Sequence, residues 1–332
     1  MKRIATPFAL VALVAIAAPL VLADAKTTKK TLTRLPGLLG AAASMFGGSA
    51  YNDGSTSTIA VKGNRMSDIS ALSGSIIDLT EQKVYSLAPK SKEYTVMTFE
   101  QMRAMMAKAR ADMQKQADQA KARQGTPPPQ PTDKPQVEMV TDTDVKETGQ
   151  HKQVAGQNTR EVVITLTTHE KGKTIEQSGG SVLTFNNWLA SSIPAIDEIT
   201  AFTLKYAKAA YGDEFAADAQ QAMQAMAMYP GLQSAMQRMQ QEGKKLQGTS
   251  LSSAMTFDMV LSDAAWKQAE ADSKKNQSGG GGLGGFLAGK MGAGGPSKQR
   301  TTVVTITNDY LTIERTATDA DVALPAGYKE KK

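Results

Sequence analysis

Two histidines, His151 and His169, and the carboxylate pair Asp142-x-Asp144 come nearest in this chain to a reactive or metal-holding set. The histidines have no HxxxH or HExxH spacing, so a zinc site would need carboxylates from distant parts of the fold. Asp142 and Asp144 fall on one face of a strand and could hold calcium. No glycine-turn loop or bidentate glutamate accompanies them, and a solvated strand face is the simpler reading. Residues 284–291, GGFLAGKM, approach the phosphate-binding loop pattern. Met291 stands where a Ser or Thr must hold magnesium, and glycines rather than a strand precede the loop. No Gly-x-Ser-x-Gly elbow occurs. Without any cysteine there is no thiol nucleophile, thiolate metal site or disulfide framework. These residues predict no catalytic set, no metal and no cofactor, so the chain does not read as an enzyme.

The methionines carry a different chemistry. Of 17 in the chain, Met102, Met105, Met106, Met113, Met223, Met226, Met228, Met236 and Met239 fall on segments with helical periodicity. A flexible thioether side chain fills irregular or changing apolar space. Such stripes either line a deformable pocket for acyl chains or form ordinary core.

The elements that position these residues follow from periodicity. Short period-two runs separated by turn residues fill residues 55–97, the mark of an antiparallel meander. Thr98, with Gln101 three residues on, predicts a capped helix whose stripe is Phe99, Met102, Met106, Ala109 and Met113. Strand texture returns over residues 137–168, with a turn at Ala155-Gly156. A hairpin is expected over 173–177 and 182–188, a helical block over 195–243, and strands over 248–261 and 301–316. The domain plan is a signal peptide (1–23), a flexible or partly ordered arm (24–54) and one domain (55–329). Helical insertions at 98–124 and 195–243, a Pro-rich linker at 125–136 and a Gly-rich disordered loop at 278–299 complete it.

Lys2 and Arg3 precede an uncharged run over residues 4–23, and small residues follow Pro19. This reads as a secretory signal, cleaved after Ala23 or after Ala25, rather than as an anchor. No cysteine is available at the cleavage point for a lipid anchor. The expected compartment is the bacterial periplasm. The formal net charge of +6 is spread without a dense basic block, which argues for solubility and against nucleic acid as a partner.

Lys62-Gly-Asn-Arg-Met66, Ile76-Ile-Asp-Leu79, Lys83-Val-Tyr-Ser-Leu87, Lys92-Glu-Tyr-Thr-Val-Met97 and the closing Leu324-Pro-Ala-Gly-Tyr328-Lys resemble a family of exported bacterial proteins of unknown function. That family is similar in pattern to the periplasmic carriers of outer-membrane lipoproteins. Ser67, where the pattern expects a second arginine, and Gln157-Asn158, where it expects an aromatic, are departures. The resemblance implies an α+β fold, a curved antiparallel half-barrel with inserted helices over its concave face. It brings no catalytic residue. The expected function is to bind or carry an apolar ligand, either a lipid or a lipidated protein. The expected lining is Ile77, Tyr85, Tyr94, Met102, Met106, Trp188, Phe202, Met223 and Met226. The alternative is an envelope interaction protein with a solid core.

Overall fold

The computed structural model describes residues 24–36, 53–123, 137–212, 237–238, 240–277 and 299–331. In chain order the strands are β1 Ala25–Arg34, β2 Ser55–Lys62, β3 Arg65–Ser70, β4 Gly74–Asp78, β5 Lys83–Ala88 and β6 Glu93–Thr98. Helix α1 (Phe99–Arg123) then leads to β7 (Met139–Val154) and β8 (Gln157–Glu170). After them come α2 Ile175–Ser178, β9 Gly180–Ala190, α3 Pro194–Tyr211, β10 Thr249–Val260 and α4 Asp263–Gln277. The chain closes with β11 Arg300–Glu314, α5 Asp319–Val322 and β12 Lys329–Glu330.

All twelve strands form one open, curved sheet in the order β12-β6-β5-β4-β3-β2-β1-β11-β10-β9-β8-β7. Every pair is antiparallel except β12 with β6. The α+β half-barrel expected from sequence is therefore the fold. Its topology consists of two meanders, β2–β6 and β7–β11, joined edge to edge through β1.

That junction corrects the reading of residues 24–54 as an arm. Ala25–Arg34 is the central strand, paired with β2 on one side and β11 on the other. Its lysines and threonines disguise it, but threonine is β-branched and suits a strand. Alternate positions are buried, with Ala25 and Thr27 both at 0% exposure. The hairpin strand expected at 173–177 is instead the short helix α2, because Thr174 and Gln177 form a reciprocal capping box. Helix α4 has no counterpart in the sequence reading. The signal segment, most of the arm beyond Pro36, the Pro-rich linker and nearly all of the Gly-rich loop lie outside the described residues.

The α1 cap forms as its sequence dictates. The Gln101 N–H donates to Thr98 Oγ1 at 3.1 Å, and the Thr98 N–H donates to Gln101 Oε1 at 2.9 Å. Helix α3 starts at Pro194, whose missing N–H costs nothing in the first turn. It ends at Gly212, where φ of +67° favours glycine. The Arg103 guanidinium donates to the Ala209 carbonyl at 2.9 Å, fastening α1 to the C-terminal end of α3. Between these helices and β2–β5 lies a core of Val61, Ile77, Phe99, Phe202 and Ala210.

The other face of β2 and β3 is covered by the chain after β11. Val322 of α5 and Ala317 pack on Ala60. Ser67, 2% exposed, donates from Oγ to the Asp321 carbonyl at 2.6 Å. A serine therefore stands under α5 where the resemblance expects arginine. The strap then ends as β12 on the free edge of β6.

Candidate apolar site on the inner face

Register assigns side chains to faces, because directly paired residues share one face and alternate residues share it along a strand. Ile77 pairs with Met66, and Met66 with Val61, so all three lie on the inner face under α1 and α3. On the same face, Thr33 of β1 pairs with Ile306, Ile306 with Met255, Met255 with Phe185, Phe185 with Ile164, and Ile164 with Val145. A second row runs beside it through Val304, Phe257, Leu183 and Leu166 to Thr143. These two rows make an apolar band across β7–β11, about 20 Å wide at the usual spacing of strands.

The band differs from the β2–β5 core in its packing. Val145 and Ile164 are buried against Val162 and Leu189. Leu166, Leu183, Phe257, Val304, Met255 and Ile306 remain half-buried. One flank is polar, where Glu147, Asn187, Ser253 and Asn308 continue the register alongside Val162. Beyond it, Arg160 pairs with Glu147 at 3.2 Å and donates to the carbonyls of Lys245 and Gln247. A cleft of about 510 Å³ opens there, with His151, Arg160, Leu189 and Gln247 in its wall.

No family model, curated protein or solved structure matches this chain. The site therefore stands on its own geometry.

The residues expected to line one cavity do not come together as one set. Ile77, Met102 and Phe202 come together, but as packed core: Met102 takes a 3.7 Å contact from the Tyr206 hydroxyl, and Phe99 meets Tyr206 edge-on at 5.5 Å. Burial raises the Tyr206 pKa well above that of a free phenol. Met106 lies beside this core and borders a separate cleft of about 620 Å³ between α1 and the end of α3. Met223 and Met226 lie outside the described residues.

Tyr85, Tyr94 and Trp188 are corrections, since all three sit on the outer face. Tyr85 pairs with Ile76, Ile76 with Ser67, and Ser67 with Ala60 beneath α5. Tyr94 meets Tyr85 at a tilt with ring centroids 6.1 Å apart, and the Tyr85 hydroxyl donates to Glu81. Burial, followed by that bond, pushes the Tyr85 phenol up to about 12. Trp188 pairs with Ser252, Ser252 with Asp309, and Asp309 with Lys30, which faces away from the helices. Its ring carries the Lys152 ammonium 4.1 Å from the centroid, a cation–π contact.

Of the residues that carry the family resemblance, Lys62, Arg65 and Asp78 share this outer location, whereas Met66, Ile77, Leu79 and Val84 pack in the inner core. Lys62 bonds Asp24 and the Ala317 carbonyl, and Asp78 accepts from the N–H groups of Thr80 and Glu81 beside Arg65. Lys62 thus holds the C-terminal strap and Asp78 a turn. The band residues show as alternation in the sequence (Val162, Ile164, Leu166; Leu183, Phe185; Met255, Phe257; Val304, Ile306), whereas the methionine stripes point to the helices.

The polar candidates do not assemble. Asp142 binds His169 Nε2 at 2.8 Å, Asp144 is exposed, and His151 lies toward the other end of the β7–β8 hairpin. Among the described residues no group of three His, Cys, Asp or Glu side chains could hold a metal ion, and no helix is long and apolar enough to cross a membrane.

Proposed function

We propose that this chain is an exported, non-enzymatic envelope protein that binds or carries an apolar ligand, a lipid or the acyl chain of a lipidated partner. The inner face of β7–β11 is the binding surface. The supporting observation is the half-buried double row from Leu166 and Phe185 to Val304 and Ile306, beside a β2–β5 face already filled by α1 and α3. Ligand pockets are mostly apolar with a few polar groups at one margin, and the Glu147–Asn308 flank supplies that margin. The strand–helix–strand order and the family resemblance agree with a carrier.

Native mass spectrometry of the protein purified from the periplasm without detergent tests the reading, with solvent extraction of anything bound. A co-purifying acyl species is expected. Phe257→Ser is expected to weaken uptake of a fluorescent fatty acid about tenfold, the effect of roughly 1.4 kcal/mol. Trp188→Ala, on the outer face, should leave uptake unchanged. A clean apo mass with no uptake would favour the second reading, an interaction protein. Met105, Met113 and Leu204, at 55%, 63% and 63% exposure on α1 and α3, supply apolar contacts for a partner in that case.

A further inference from the structure

We propose that the chain is cut by hydrolysis between Ala23 and Asp24, and that Asp24 then serves as part of the finished fold. The proposal rests on the export reading above. The sequence leaves two bonds open, because Val21-Leu22-Ala23 and Ala23-Asp24-Ala25 both satisfy the small-residue pattern of leader cleavage. The fold separates them.

Ala25 is fully buried and pairs with Val61 at the start of the central strand. The Asp24 carboxylate lies 2.7 Å from the Lys62 ammonium, which also donates to the Ala317 carbonyl at 3.2 Å. The next side chain, Lys26, reaches Asp321 of α5 at 2.8 Å. Residues 24–26 therefore tie β1, β2 and the C-terminal strap at one point. A cut after Ala25 deletes the carboxylate that faces Lys62 and empties the place beside Val61. It also puts a new α-ammonium on Lys26, within the ladder, where charge is poorly hydrated. A cut after Ala23 places that ammonium on half-exposed Asp24, ahead of the first ladder pair.

In the reaction, water adds to the Ala23 carbonyl carbon and the bond to the Asp24 nitrogen breaks. The Ala23 carboxylate and the Asp24 amine take up the elements of water. A leader peptidase supplies the catalysis. Such an enzyme holds extended chain on both sides of the bond it cuts. Only Asp24 separates this bond from buried Ala25, so cleavage precedes entry of β1 into the sheet.

The test is expression of the full chain in a Gram-negative host, followed by intact-mass measurement of the envelope and cytoplasmic fractions. The expected product is exported and begins at Asp24. An exported product beginning at Lys26 overturns the proposal and leaves the export reading standing. A full-length chain retained in the cytoplasm overturns the export reading itself. In parallel, chains made directly from Asp24 and from Lys26 are compared in urea. The Lys26 form is expected to unfold at a lower midpoint, and equal midpoints would overturn the structural argument.

Discussion

Both ring nitrogens of His169 face acceptors, with Nε2 on Asp142 and Nδ1 on the Glu170 carbonyl at 3.0 Å. The doubly protonated imidazolium is the form that satisfies both. The Asp142 bond, followed by the Glu170 carbonyl, raises the His169 pKa above its usual value. A raised value means that this pair stabilises the fold below the unfolded pKa of about 6.5 and loses that contribution as pH climbs through the folded value. Asp142→Asn should lower the His169 pKa in an NMR titration; an unchanged value would mean that the pair is not formed. Asp321 works in the opposite sense. The Lys26 ammonium, then the Thr318 N–H and hydroxyl, hold its carboxyl down at about 2. Its contribution is present above about pH 4, where the unfolded group is ionised, and fades as pH falls through the folded value. Asp321→Asn should therefore cost about 1 kcal/mol at neutral pH. The gap from the parent should close near pH 2, as read from urea midpoints across pH.

Helix α1 divides at the element scale. Its first turns bury Phe99 and partly bury Met102, whereas Met113, on the same periodic stripe, is 63% exposed. The stripe outruns the sheet that it packs against. Met102→Ala is expected to destabilise by about 2 kcal/mol through lost packing, and Met113→Ala by under about 0.5 kcal/mol. Similar losses at both positions would place a partner on the outer turns. This helix also marks what sequence can and cannot give. Thr98 and Gln101 state its start in local chemistry, and period-two runs state β2–β6 and β8–β11. The faces of those strands depend on register, which turns and bulges alter. Leu251 and Leu311 are extra residues at register shifts, and β7 gains two residues around Gly149. No local pattern announces those insertions, so the face of Trp188, opposite one of them, could not be assigned in advance; Tyr85 and Tyr94 lie in unshifted pairs, where the packing of α1 and α3 on Val61, Ile77 and Val84 decides which face is inner.

For the whole molecule, β1 decides whether there is one sheet or two. Its polar texture made it the least legible strand, because its pairing partners are remote and only Ala25 and Thr27 are deeply buried. Thr28→Pro would remove a ladder donor from a strand paired on both edges, a change worth about 3 kcal/mol or more. The expected result is that the two meanders lose joint protection in hydrogen exchange; retained cooperativity would show that the helices alone unite them. The free outer edge, β7, carries exposed Asp142, Asp144, Lys146 and Glu147 and a bulge near Gly149, which discourages pairing with another chain.

The tie between Lys26 and Asp321 spans 295 residues of sequence. A chain threaded across a membrane from its N-terminus delivers β1 first and the strand and strap that complete its contacts last. Contacts this remote slow folding and leave unpaired strands exposed meanwhile. On the export reading proposed above, the first strand would wait through nearly the whole of translocation for β11, and the half-finished sheet would be the species that an envelope chaperone has to guard.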